Sequence, residues 1–141
     1  MNNKNEIPKG FEPIKSENPF GKAVGPIFEK KDGDGWVRGF RVGENHTNQG
    51  RIAHGGVLMT FADIVLARAV LDVAPLPFAT VQMSCQFVAP ALWGAWIEGR
   101  GKVTRRTRDL VFVSCELISA QPRFLMPRVF LNFFRIRNNL T

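Results

Sequence analysis

The chain has 141 residues, 45% hydrophobic and 22% charged, and corresponds to one ordinary domain that needs neither a disulfide nor a metal for stability. Its 12 Phe and 3 Trp supply a core and argue against long disorder. No apolar run reaches the about 18 uncharged residues of a membrane-spanning helix, and residues 1–10 lack the apolar stretch of a secretory signal. We therefore expect a cytoplasmic protein with a single domain over residues 1–141, including a loose leader over 1–20.

The positive charge restricts the classes of partner. Nineteen Lys and Arg against 12 Asp and Glu give a net charge of +7, which attracts phosphorylated small molecules, nucleic acid or anionic lipid. The basic residues gather in segments 102–108 and 123–137, and neither segment matches a helix-turn-helix or a zinc finger. An alternative interpretation is that the basic residues form a solvated face without a specific partner. We expect no nucleic-acid and no membrane partner. Cys85 and Cys115 form no C-x-x-C pair, so we also expect no metal site.

The first half of the chain predicts a hairpin followed by one long helix. Two Asp-Gly pairs in segment 31–35 are a strong turn signal between strands over 25–30 and 36–42. A polar loop over 43–53 follows. The apolar residues after His54-Gly55-Gly56 predict a helix from 57 to about 72, which Pro75 and Pro77 end.

Further strands are predicted after the helix. In segment 80–88 apolar residues alternate with polar ones at a period of two, and alternation also predicts strands over 95–104 and 110–119. Segment 124–137 predicts a last strand, with Pro127 at its start or at a bulge. One helix buries itself against five or six antiparallel strands only by lying across a single curved sheet, so the expected fold class is α+β.

The long helix carries a stripe of small residues with one carboxylate. Only four of its residues are polar, so we expect it to be buried nearly all round. At about 100° per residue, Gly56, Thr60, Asp63 and Ala67 share one narrow face, whereas Arg68 points elsewhere and cannot pair with Asp63. Asp63 is then either satisfied by Ser, Thr or backbone groups of a neighbouring strand, or faces a cleft and does acid–base or nucleophilic work there.

The start of the helix carries a second candidate feature. Two glycines after His54 leave backbone N–H groups uncovered at the positive end of the helix dipole, where they can hold an oxyanion, although a glycine pair also serves as a simple helix breaker. Asp63 follows His54 by nine residues, about 13 Å along a helix. One carbonyl cannot contact both groups of the same chain. If both act on one carbonyl, two chains must form the site, which predicts a dimer.

The spacing of these residues is characteristic. Asn48 stands six residues before His54-Gly55-Gly56, and Asp63 follows the last glycine by seven. Over about residues 25–117, this pattern resembles the hotdog-fold acyl-CoA thioesterases of the phenylacetate-pathway (PaaI-like) group. The resemblance implies a curved antiparallel sheet around one central helix, and active sites between the subunits of a homodimer. It also favours a homotetramer built as a dimer of dimers, and it implies coenzyme A as part of the substrate.

The resemblance also implies residue roles. Asp63 would be the catalytic base or nucleophile, and the Gly55 N–H of the partner chain would polarise the thioester carbonyl. Asn48 and His54 would flank that carbonyl, and Thr80 would hold water, unless it is an ordinary β-branched strand residue. The positions implied for substrate binding, with the arginines near the coenzyme A phosphates, are Gly56, Arg105, Arg106 and Arg108.

The prediction is therefore an acyl-CoA thioesterase that forms a free acid and a thiol without a metal or redox cofactor. Two departures from the family pattern are Thr107, where relatives often have Gly, and the segment from Gln121 onward. The alternatives are a non-catalytic acyl-CoA binder or sensor, against which Asp63 argues, a basic nucleic-acid-binding domain, and a hydratase on the same fold. The acyl group is not determined.

Overall fold

A computed structural model describes residues 6–15, 18–74, 76–119 and the backbone of 128–129. A single long helix, α2, packs on one sheet, and a short helix, α1, precedes it. A 3-10 turn at Glu44–His46 lies in the loop that precedes α2 in the sequence. The elements are β1 Glu12–Pro13, α1 Pro19–Val24, β2 Phe28–Asp32, β3 Gly35–Arg41, α2 Gly55–Leu71, β4 Trp96–Arg106, β5 Val111–Ser119 and β6 Arg128–Val129.

The sheet has six antiparallel strands in the order β1-β2-β3-β4-β5-β6. The predicted hairpin is confirmed, because β2 and β3 pair from Phe28 opposite Gly39 to Asp32 opposite Gly35, with Gly33 at a φ of 61° in the turn. The chain leaves β3, forms α2 and returns as β4 directly beside β3. The α+β class, with one helix across one sheet of five to six strands, is confirmed.

Two glycines of β4 allow α2 to lie directly on the sheet. A Cβ atom on Gly99 would lie 2.9 Å from a Val65 methyl carbon, and one on Gly101 would lie 2.7 Å from the Cβ of Ala69. The buried residues of α2 are Leu58, Phe61, Ala62, Val65, Leu66 and Val70. The expected burial all round is wrong, since the stripe from Gly56 to Ala67 on another face is only partly covered.

The strand predicted over 80–88 is also wrong: the described part of the chain has no strand there. A strand exists only where a neighbour completes its hydrogen bonds, and no described segment pairs with this one. The alternation persists only in part, because Met83 and Cys85 pack against the core whereas Val81 and Phe87 at the same period are about half-exposed. Of the last predicted strand, β6 is described and pairs with β5 at Cys115 and Glu116; Pro127 and the rest of 124–137 lie outside the described residues.

The segment predicted as a leader contributes to the fold where it is described. Phe11 is buried against the other face of the sheet, with its ring centroid 5.1 Å from that of Trp96. Ahead of β2, α1 begins after Asn18, whose side chain accepts a hydrogen bond from the Gly21 N–H. Among the described residues, every helix is too short or too polar to cross a bilayer.

We expect Gly101→Val to destabilise the protein by about 1–3 kcal/mol, because the new side chain forces α2 away from β4. Lys102→Val is the matched control, since Lys102 is exposed on the same strand. Urea denaturation followed by circular dichroism measures both free energies of unfolding. Equal stability of the two variants would contradict the close packing of helix and strand.

Candidate active site

A groove with a volume of about 1060 Å³ lies between α1 and α2. The four residues of the predicted stripe, Gly56, Thr60, Asp63 and Ala67, all line it. The helix repeat places these four residues on one face of α2. Because the opposite, apolar face is buried on the sheet, this face points into the groove. The small side chains leave open space beside the single carboxylate of the stripe.

Asp63 is partly exposed in this groove, and the hydroxyl of Thr80 donates a hydrogen bond of 2.7 Å to its Oδ1. Thr80 reaches Asp63 from the extended segment after α2. Arg68 instead pairs with Asp72 at 2.9 Å, as its direction on the helix predicts. Among the ion pairs of the described residues, none involves Asp63. The carboxylate is thus held by a neutral donor through one oxygen.

At the start of α2, the backbone N–H of Gly56 has a hydrogen-bond acceptor and that of Gly55 does not, among the described residues. His54 is the N-cap, and its Nδ1 accepts a hydrogen bond of 2.9 Å from the Gly56 N–H. Gly55, at the first position of the helix, has no acceptor for its N–H among the hydrogen bonds of the described chain. The Gly55 N–H is therefore available to a ligand at the positive end of the helix dipole.

Gly55 and Asn48 line a second, smaller cavity of about 340 Å³. The Oδ1 atom of Asn48 accepts a hydrogen bond of 2.9 Å from the Gly50 N–H, which closes a tight turn of the loop. The ring of Phe87 lies against Gly55, 3.5 Å from where a Cβ atom would stand. Within one chain, Asp63 and Gly55 therefore open into different cavities.

Two residues that the sequence interpretation missed hold these elements together. Buried His46 accepts a hydrogen bond from the Gly43 N–H at Nδ1 (3.0 Å), so Nε2 carries the proton donated to the Val24 carbonyl (2.7 Å). Arg38 lines the Asp63 groove and donates to Glu29 (3.2 Å) and to the Ile64 carbonyl (2.7 Å). Burial lowers the pKa of Arg38, and the Glu29 carboxylate opposes that shift.

The predicted arginines lie apart from both cavities of their own chain. Arg105 and Arg106 are exposed at the end of β4, and Arg108 is exposed in the turn that follows. In that turn the Thr107 hydroxyl accepts a hydrogen bond of 3.0 Å from the Leu110 N–H, so Thr107 has a structural contact of its own. A single chain does not bring these arginines to Asp63 or Gly55.

The two thiols are poorly suited to nucleophilic attack. Burial raises the pKa of Cys115 to about 12, and burial also raises the pKa of Cys85, so both remain protonated at neutral pH. Within the described segments, His, Cys, Asp and Glu form no group of three that could hold a metal ion. Asp63 is thus the carboxylate best placed for chemistry in the groove.

Comparison with known proteins gives one family. Residues 50–125 match the family model described as the thioesterase superfamily. A Pseudomonas aeruginosa protein named "Putative esterase PA0474" is 34% identical over 118 residues, which cover 82% of this chain and 88% of that protein.

Solved structures show the same fold at lower identity. Zebrafish thioesterase superfamily member 2 has a TM-score of 0.73 at 23% identity, over 84% of this chain and 88% of that one. The Escherichia coli PaaI protein from the phenylacetic acid degradation operon has a TM-score of 0.69 at 20% identity, over 83% and 86%. A Streptococcus pneumoniae protein described as a hypothetical thioesterase, in a crystal structure with coenzyme A, has a TM-score of 0.66 at 21% identity, over 90% and 98%.

The family match covers more than half of the chain and includes the start of α2, Asp63 and Thr80. The predicted resemblance to PaaI-like thioesterases is confirmed by the family match together with the structural neighbours. The enzyme class, a thioester hydrolase, is confirmed as well. The chain therefore belongs to the thioesterase superfamily and has the hotdog fold.

Proposed function

We propose that the protein is an acyl-CoA thioesterase in which Asp63 acts on a thioester bound in the groove. The observation that carries this proposal is the Asp63 carboxylate, fixed by Thr80 and facing an open groove in a thioesterase-family chain. Coenzyme A as the thiol part of the substrate is supported by the motif resemblance and by the relative crystallised with coenzyme A. No metal or redox cofactor takes part in the proposed reaction.

The proposed chemistry is hydrolysis of the thioester. As general base, Asp63 accepts a proton from water while the water oxygen attacks the carbonyl carbon. The carbon–sulfur bond of the tetrahedral intermediate then breaks, and the leaving thiolate takes the proton that Asp63 had accepted, which regenerates the carboxylate. As nucleophile, Asp63 instead attacks the carbonyl carbon, the carbon–sulfur bond breaks, and the thiolate leaves and takes a proton from solvent. Water then hydrolyses the resulting anhydride to the free acid, and Asp63 returns to the carboxylate. Both routes yield the free acid and coenzyme A.

The geometry supports a site shared between two chains. Asp63 and Gly55 are eight residues apart on one rigid helix, about 12 Å, and open into different cavities. We propose that the Gly55 N–H of a partner chain stabilises the oxyanion opposite Asp63. The functional unit is then a homodimer, which we propose assembles further into a dimer of dimers.

The other positions take supporting roles in this proposal. His54 holds the helix start through Gly56, so that only the Gly55 N–H is presented to the thioester oxygen. Asn48 flanks the same cavity and stabilises the loop through Gly50. Arg105, Arg106 and Arg108 are proposed to bind the phosphates of coenzyme A across the assembled subunits, since each is exposed. The protein is proposed to act in the cytoplasm.

Replacing the carboxylate tests the reaction. We expect Asp63→Asn to lower the rate of thiol release from a panel of acyl-CoAs by about 10²–10⁴-fold, because the amide cannot accept the proton or attack the carbonyl. Thermal denaturation checks that the variant is folded. Hydrolysis at the wild-type rate would contradict the proposal, and binding of acyl-CoA by an inactive wild type would favour the non-catalytic binder.

Thr80 is expected to act through Asp63. Removing the hydroxyl with Thr80→Ala should lower kcat about 10-fold or more, since a hydrogen bond to a charged group contributes about 1.5–3 kcal/mol. Thr80→Ser keeps the donor and should retain kcat within about threefold. The same loss in both variants would show that only the methyl group matters.

The shared site is tested by mixing two inactive variants. Gly55→Pro removes the N–H but suits the first helical position, and His54 before it is already extended with a ψ of 138°. Gly55→Ala keeps the N–H and is the control. Chains with Gly55→Pro and Asp63→Asn, unfolded and refolded together, should recover about one quarter of the wild-type activity, because half the dimers contain one intact site. Recovery of none would contradict a site built from two chains.

A further inference from the structure

We propose that the groove between α1 and α2 is the acyl pocket, that it takes bulky apolar acyl groups, and that Phe20 on α1 is a specificity-determining residue. The inference rests on the proposed thioesterase function, and it adds the class of acyl group and the segment that selects it. Asp63 and Phe20 line one continuous groove, so an acyl group whose carbonyl lies at Asp63 can extend along α1.

The size of the groove favours large acyl groups. Pockets that enclose drug-sized ligands measure about 300–1,000 Å³, and this groove measures about 1060 Å³. An acetyl group would leave most of that volume filled with water against apolar side chains. A medium or long alkyl chain, or an aryl-acetyl group, covers those side chains, and each methylene removed from water adds to the free energy of binding.

The lining of the groove favours an apolar acyl group over a carboxylated one, because most of its side chains are apolar and its cations are paired or exposed to solvent. The apolar side chains that line it include Phe20, Ile27, Met59, Ile64, Ala67 and Met83. The partly buried cation, Arg38, already donates to Glu29 and to the Ile64 carbonyl, and its charge is balanced by Glu29. Lys15 and Lys22 also line the groove but are exposed residues that solvent stabilises.

The wall formed by α1 is fixed at both ends, yet none of its side chains is buried. Asn18 caps its start, and His46 donates to the carbonyl of Val24 at its end. Phe20 is nevertheless 62% exposed and lines the groove. A large aromatic ring left in water on a fixed helix gains hydrophobic energy when an apolar group covers it. A thioester whose carbonyl lies at Asp63 would place its acyl chain against Phe20, so we take the acyl chain as the group that covers this ring.

The test compares acyl-chain selectivity in the full-length enzyme. We would measure kcat/KM for straight-chain acyl-CoAs from acetyl to palmitoyl, together with phenylacetyl-CoA and glutaryl-CoA. The variants are Phe20→Ala in the wall and Ala67→Leu in the floor. The control is Ile118→Ala, because Ile118 is similarly exposed (54%) and lies outside the groove. Circular dichroism confirms that each variant is folded.

We expect wild-type kcat/KM to rise with acyl size and to be lowest for acetyl-CoA and glutaryl-CoA. Phe20→Ala should lower kcat/KM for the preferred acyl-CoA about tenfold or more, and leave acetyl-CoA nearly unchanged. Ala67→Leu should move the preference toward shorter chains by a similar factor, since the added side chain fills the floor. The Ile118→Ala profile should match that of the wild type.

The two proposals fail in different ways. If Asp63→Asn loses hydrolysis of every acyl-CoA while Phe20→Ala and Ala67→Leu keep the wild-type selectivity, the acyl pocket lies elsewhere and only this inference is overturned. A preference for acetyl-CoA or glutaryl-CoA would overturn it too. If Asp63→Asn retains full activity, the proposed mechanism is overturned, whatever the selectivity.

Discussion

The close packing of α2 on β4 determines where the candidate-site groups on α2 point. Gly99 and Gly101 present no side chains, so the helix backbone lies directly on the strand and its apolar face is enclosed by the sheet. Because one face of α2 is buried on the sheet, the rotation of the helix about its axis is fixed, and so is the direction of its other faces. Asp63 and the small residues near it therefore face α1, where their groove is found. The proposed chemistry of Asp63 thus depends on two glycines that do not line its groove.

The hydrogen bonds around α2 leave each proposed catalytic group one free position. His54 accepts the Gly56 N–H, so the Gly55 N–H stays available at the helix start. Thr80 donates to one oxygen of Asp63, so the other oxygen can face water or a carbonyl carbon. Because a rigid helix separates the two groups, adjusting side chains cannot bring them to one carbonyl. This separation is the reason for proposing that two chains form the site.

The predictable parts of this structure are those that local chemistry determines. The β2–β3 hairpin follows from its two Asp-Gly pairs, and the stripe with Asp63 follows from the helix repeat. The strand predicted over 80–88 fails because pairing depends on a neighbour that a local pattern does not identify. The contacts of Thr80 with Asp63, Arg38 with Ile64, and His46 with Val24 join residues 17 to 26 positions apart, and no periodicity predicts them.

The two proposals place the reacting carboxylate on α2 and the aromatic wall of the acyl pocket on α1. The groups proposed for chemistry lie on or against α2, whose opposite, apolar face is part of the core. The short helix α1 buries none of its side chains, and the hydrogen bonds that fix its ends come from Asn18 and His46 rather than from its exposed Phe20. The residue at position 20 can therefore vary without loss of core packing. A chain of this design can change the acyl group it accepts while Asp63, Thr80 and the helix start remain in place.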